Sequence, residues 1–200
     1  MRKSKYLILS GIYFNFDDDL TDIINVKKLI KNQNILDLFR FDKIKSIKNI
    51  QVKEENINFI YLPQNIEIID NFAFYINQIK ILDLSNCIKL KNIELGAFEE
   101  NQIKQLKLPE NIEIINRFSF NENQIEILDL SNCIKLKKIE YYAFSSNPLK
   151  EIKILGNIEI EYGEKNKDDF WNKFVKYYND TDKKSGDYKL ENNKWQWYPL

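Results

Sequence analysis

Apolar residues recur along the chain at offsets 0, +3 and +5: Ile79, Leu82, Leu84; Ile103, Leu106, Leu108; Ile125, Leu128, Leu130; Leu149, Ile152, Ile154. The last two of each triplet are i and i+2, the spacing of one face of a strand. Each triplet therefore predicts a short strand with these positions inward. A second inward pair follows at a constant distance: Ile66/Ile69, Leu90/Ile93, Ile112/Ile115, Leu136/Ile139. Between the two lies one phenylalanine per unit, Phe74, Phe98, Phe120 and Phe144, spaced 24, 22 and 24. An asparagine follows each three positions later, at Asn77, Asn101, Asn123 and Asn147.

The pattern repeats as words as well as polarity. ILDLSNCIKLK stands at 81–91 and again at 127–137, 46 positions on, and residues 66–111 align with 112–157 without gaps. An older copy lies upstream, with NILDLF at 34–39, IKSIK at 44–48 and LPQN at 62–65 matching LPEN at 108–111. The array runs from residue 33 to about 162, as 46-residue double repeats of coils about 23 residues long. That period marks a leucine-rich repeat. One coil cannot bury its apolar faces alone, whereas stacked coils can. The expected fold is an α/β repeat solenoid with a stack of parallel strands.

The frame AFxxNxIxxLxLPxxIxxI resembles the BspA-like leucine-rich repeats of bacterial surface and host-interaction proteins. The resemblance covers about 130 of the 200 residues. Asparagine stands where that pattern usually has a cysteine after AF, and the usual glycine after IxxI is mostly absent. The resemblance implies a binding role, including an adhesin-type one, without naming a partner. NDTDKKSGDYKLENNKWQW (179–197) is similar to a short GKKAGxYxxxxGxW module that follows such repeats.

Both ends of a solenoid need covering. DDDLTDIINVKKLIKN (17–32) places Leu20, Ile23, Ile24, Leu29 and Ile30 on a helical face, with acidic residues first and lysines last, as the helix dipole favours. Residues 1–32 are thus expected to form an N-terminal strand and helix cap, 33–162 the solenoid, and 163–200 a C-terminal helix and aromatic hairpin. The repeat loses its inward isoleucine at Glu161, and Phe170, Phe174 and Tyr178 then sit at i, i+4, i+8, a helical stripe. Trp195 and Trp197 share one face of the hairpin. They are expected to pack on the last coil, with an exposed aromatic patch for a partner as the alternative.

Composition narrows the chemistry. Lysine and arginine balance aspartate and glutamate at 30 each, and no basic stripe stands out, so nucleic acid is not an expected partner. The chain has no histidine and only five glycines, which removes the commonest general base and zinc ligand and leaves no Gly-rich phosphate loop. No catalytic set, metal site or cofactor is expected. Cys87 and Cys133 occupy equivalent places two coils apart, roughly 10 Å at strand spacing, beyond the reach of a disulfide at about 7 Å. No run approaches the ~20 apolar residues of a membrane span. Arg2, Lys3 and Lys5 precede a short apolar run, Tyr6 to Phe14, that loosely imitates a signal peptide, but NFDDD follows in place of a small-residue cleavage site. That points to the cytoplasm, while the resemblance points to the cell surface or secretion. The alternating YLILSGIYF also reads as a first strand.

The outward strand positions carry the candidate site. One row runs Asp37, Tyr61, Asp83, Lys107, Asp129, Lys153, alternating in sign from Asp83 on, which predicts cross-strand ion pairs rather than catalysis. The row beside it runs Ile35, Phe59, Ile81, Gln105, Ile127, Glu151. Phe59, Ile81 and Ile127 have no core to join there, and an apolar stripe with a charged border suits a protein or peptide partner or self-association.

Overall fold

A computed structural model describes residues 35–39, 45–47, 56–163 and 169–200, and the backbone of 5–9 and 12–16. Strands β1 (Lys5–Leu9) and β2 (Ile12–Phe16) pair antiparallel, so the alternating run read as one strand is two. The helix expected over 17–32 lies outside the described residues.

Two kinds of short strand then alternate. They are β3 (Ile35–Asp37), β4 (Ser46–Ile47), β5 (Phe59–Tyr61), β6 (Ile68–Ile69), β7 (Ile81–Asp83), β8 (Asn92–Ile93), β9 (Gln105–Lys107), β10 (Ile114–Ile115), β11 (Ile127–Asp129), β12 (Lys138–Ile139), β13 (Glu151–Ile154) and β14 (Glu159–Ile160). The even-numbered strands from β4 to β14 form one six-stranded sheet, and its pairings are parallel. The odd-numbered ones stack on the other side, where the triplets predicted strands. The result is a parallel-strand β-solenoid.

The expected α/β character is not found in the described coils, whose only helix, α1 (Phe170–Asp180), comes after the repeats. Two left-handed residues per coil explain this. Phe72 and Ile76, Gly96 and Glu100, Phe118 and Glu122, and Tyr142 and Ser146 all have φ between 51° and 62°. A left-handed residue every four positions breaks an α-helical ladder, and only Gly96 adopts that conformation without a steric cost.

The phenylalanines form a continuous internal stack. Phe74, Phe98, Phe120 and Phe144 are fully buried, with successive ring centroids 5.2, 5.6 and 5.2 Å apart and planes within 10°. Beside them runs a ladder of buried asparagines. Asn123 Oδ1 accepts the Ile103 N–H at 2.9 Å, while its Nδ2 donates to the carbonyls of Phe98, Phe120 and Asn121 at 3.0–3.2 Å. Asn101 and Asn147 do the same one coil away. Each amide thus satisfies backbone groups of its own coil and of the preceding one, in a place where water cannot reach them.

Inward positions are buried as predicted, except Leu106, which is half-buried. The cause is a break in the strand stack. β3–β5, β7–β9 and β11–β13 form full three-residue ladders. β5 and β7 share only the Phe59–Ile81 pairing, and β9 and β11 belong to separate sheets. Each loose junction follows a Leu-Pro pair, Leu62–Pro63 or Leu108–Pro109. Proline has no N–H to donate and restricts the residue before it. On this face the repeat is therefore a pair of coils, tightly laddered within and loosely joined to the next, while the even-numbered sheet runs on without a break.

The last coil packs against the C-terminal segment. Its register is one residue short: Ile160 pairs with Ile139 and takes the inward place that Glu161 would otherwise occupy. Asp169 caps α1 through the N–H groups of Trp171 and Asn172, and its Oδ1 accepts Ser146 N–H at 2.7 Å. That tether fixes the rotation of the helix. Trp171, Phe174, Val175 and Tyr178 turn inward, and Trp171 sits 5.1 Å from the Phe144 ring. Phe170, expected on the buried stripe, is 38% exposed. β15 (Gly186–Glu191) and β16 (Lys194–Tyr198) form the expected hairpin around Asn192 and Asn193, both left-handed, as a two-residue turn requires. β15 adds antiparallel to β13 and extends the strand stack.

Candidate protein-binding face

The apolar row lies where the sequence put it. Phe59, Ile81 and Gln105 are cross-strand neighbours on the outer face, and Phe59, Ile81 and Ile127 are 37, 44 and 56% exposed. Tyr61, exposed beside Phe59, widens the patch. The row ends at Glu151, whose strand is covered on its far side by β15, with Lys189 opposite Glu151 and Asp187 opposite Lys153.

The charged row meets the expectation only in part. Asp83 and Lys107 pair at 3.5 Å. Asp129 and Lys153 are in register, yet Lys153 pairs with Glu151 at 3.5 Å instead. The aspartates have another role. Asp37, Asp83 and Asp129 each accept the backbone N–H two residues on, from Phe39, Ser85 and Ser131, at 3.0 Å. They are turn caps, recurring with the double repeat. Partial burial acts to raise the Asp83 pKa, but hydrogen bonds from Ser85 and the Lys107 charge outweigh it, and the net shift is downward.

An alternating ladder does exist on a row that the sequence reading passed over. Lys45 pairs with Glu67 at 3.8 Å, and Glu113 bridges Lys91 at 3.3 Å and Lys137 at 2.6 Å. Those lysines are 46 positions apart, so the signal was in the repeat. Hydrogen bonds from Lys137 and Lys91 hold the Glu113 carboxyl below its usual range. Such exposed pairs contribute little to stability.

At the break between β9 and β11 the face opens into a groove of about 890 Å3. Gln105, Leu106, Lys107, Ile127 and Asp129 line it. The half-buried Leu106 supplies an apolar floor, Lys107 and Asp129 supply opposite charges, and the groove lies within the apolar row. Sequence reasoning missed it, although the Leu-Pro pair that marks the loose junction was visible.

The aromatic alternative is not supported by the packing. Trp195 is buried against Phe174, with centroids 5.5 Å apart, and Trp197 is half-buried, its Nε1–H donating to the Ser185 carbonyl. Trp195 therefore has no exposed ring to offer.

Residues 45–163 match the family model of the BspA type leucine rich repeat region, in six copies. The chain belongs to that family. No curated protein and no solved structure is detectably similar to the chain. Leucine-rich repeat families commonly mediate protein–protein interaction or adhesion.

In this BspA-type repeat, no described group of three or more His, Cys, Asp or Glu residues is arranged to hold a metal ion. No described helix is long and apolar enough to cross a membrane. Cys87 and Cys133 are buried free thiols, and burial pushes their pKa values up to about 11 and 12. Because the thiolate is the nucleophile, both are expected to resist a disulfide reagent at pH 8 in the folded protein. Both should react rapidly once urea unfolds the repeats. A thiol-release trace against urea checks this.

Proposed function

We propose that this chain is a non-catalytic protein-binding module, and that a protein or peptide partner docks on the outward rows of its repeat strands. The observation that carries the reading is Phe59, Ile81 and Ile127 in one outward row, exposed and flanked by Tyr61, Asp83, Gln105, Lys107 and Asp129. An apolar centre with a polar rim is the usual anatomy of a protein interface. The groove beside Leu106 gives that surface a pocket for one anchoring side chain, the kind of place where binding energy concentrates. Glu151 and Lys153 form the border at which β15 ends the row.

The proposal includes the three-part organisation, with residues 1–32 and 163–200 covering the ends of a solenoid over 33–162. Burial of Phe144 under Trp171 supports the C-terminal part of it.

The test is a Phe59→Asp/Ile81→Asp/Ile127→Asp variant. The three side chains are exposed, so the unfolding midpoint should stay close to wild type. Three buried charges at an interface core should lower affinity for a captured partner by at least about 100-fold. Deleting 163–200 discriminates less well than point changes, because it uncovers Phe144 and β13 together.

A further inference from the structure

Among the described residues, the sheet β11-β13-β15-β16 ends on an open edge at β16, and the chemistry beside that edge selects a ligand. β16 pairs with β15 on one side. Leu190 is the register partner of Trp195, and the Leu190 N–H points the other way, to the Lys150 carbonyl at 2.8 Å. The Leu190–Trp195 pair is thus the non-hydrogen-bonded kind, in which both residues aim their N–H and C=O outward. By the two-residue alternation, Trp195 and Trp197 both present a donor and an acceptor along the free edge, while their rings face inward. The edge is five residues long and contains no proline; Pro199 follows it.

A groove of about 450 Å3 runs along this edge against α1, lined by Lys173, Lys176, Tyr177 and Asp180 of the helix and Lys194 of the strand. Positions 173, 176, 177 and 180 form one helical stripe. Lys176 and Lys194 stand there with one carboxylate, Asp180, in a chain whose total charge is zero. No ion pair among the described residues engages Lys176 or Lys194. An unpaired strand edge is a template for another strand, and main-chain bonds from such an edge give affinity while neighbouring side chains give specificity.

We propose that the β16 edge is a second binding site, taking an extended acidic segment of a partner protein as an added strand. The carboxylates of that segment reach Lys176 and Lys194. This site is independent of the strand face proposed above.

The test uses the full chain, labelled with 15N, and two capped seven-residue probes: one alternating glutamate with valine, the other lysine with valine. The acidic probe should shift and protect the Trp195 and Trp197 amides, and bind at least tenfold tighter than the basic one. Lys176→Glu/Lys194→Glu should reverse that preference, while Phe59→Asp/Ile81→Asp/Ile127→Asp should leave it unchanged. Three results would overturn the proposal. The first is equal binding of both probes, or none at millimolar concentration. The second is loss of the probe in the strand-face variant. The third is protection of the two amides that grows with protein concentration alone, which would assign the edge to a second copy of this chain.

Discussion

Replacing Phe120 with alanine is expected to lower the unfolding free energy by about 3–5 kcal/mol, the range for a buried aromatic truncated in a core. Phe120 is fully buried and is stacked on both faces, by Phe98 at 5.6 Å and Phe144 at 5.2 Å. The neighbours cannot close the gap, because each ring is fixed by its own coil. Each coil contacts only those beside it, so the loss also uncouples the two sides of the stack. Urea unfolding should show a lower midpoint and a broader transition. Ile127→Ala is the control: its side chain is 56% exposed, and its cost should stay within about 0.5 kcal/mol, as for surface changes generally. Equal losses at the two positions would contradict the assignment of inward and outward rows.

Asn123→Leu is also expected to destabilise the fold, although leucine is close in size and more apolar. The substitution strands the Ile103 N–H, which Asn123 Oδ1 accepts at 2.9 Å across the coil boundary, while the Phe98 carbonyl keeps the Asn101 amide at 3.2 Å. A buried polar group left without a partner costs about 1–3 kcal/mol, and the loss is expected in that range. Asn→Leu at the exposed Asn86 makes the comparison. A hydrophobic account of this position predicts stabilisation by leucine, so the sign of the change in urea midpoint decides between the two.

Much of the solenoid was legible because its periodicity is redundant. The inward triplets, the Ile pairs and the phenylalanines each state the same coil, and the structure buries all of them but Leu106. What escaped was information carried by backbone conformation. Nothing in AF shows that Phe72, Phe118 and Tyr142 are left-handed, and that conformation is what excludes a helix from the coil. Leu106 was misjudged because its environment depends on a strand pairing that the Leu-Pro unit loosens. Asp83 and Asp129 read as a charge ladder because cross-strand spacing was considered and the local turn was not. D-x-S two residues after the strand was the available signal for a cap. The asparagines were noticed as a departure from a family pattern, and their role needed the third dimension, since their partners lie 20–27 positions away. The apolar outward row was readable because the inward positions were already assigned.

The measurement that tests the central claim most directly is affinity capture by the purified chain, from cell lysate and from extracellular proteins. It compares the wild type with Phe59→Asp/Ile81→Asp/Ile127→Asp and with a control carrying three aspartates at Ile68, Ile88 and Ile134, which are equally exposed away from the strand face. The account predicts a partner that the wild type and the control retain and the strand-face variant loses, with all three proteins folded. A partner held equally by all three, or lost only by the control, would contradict it.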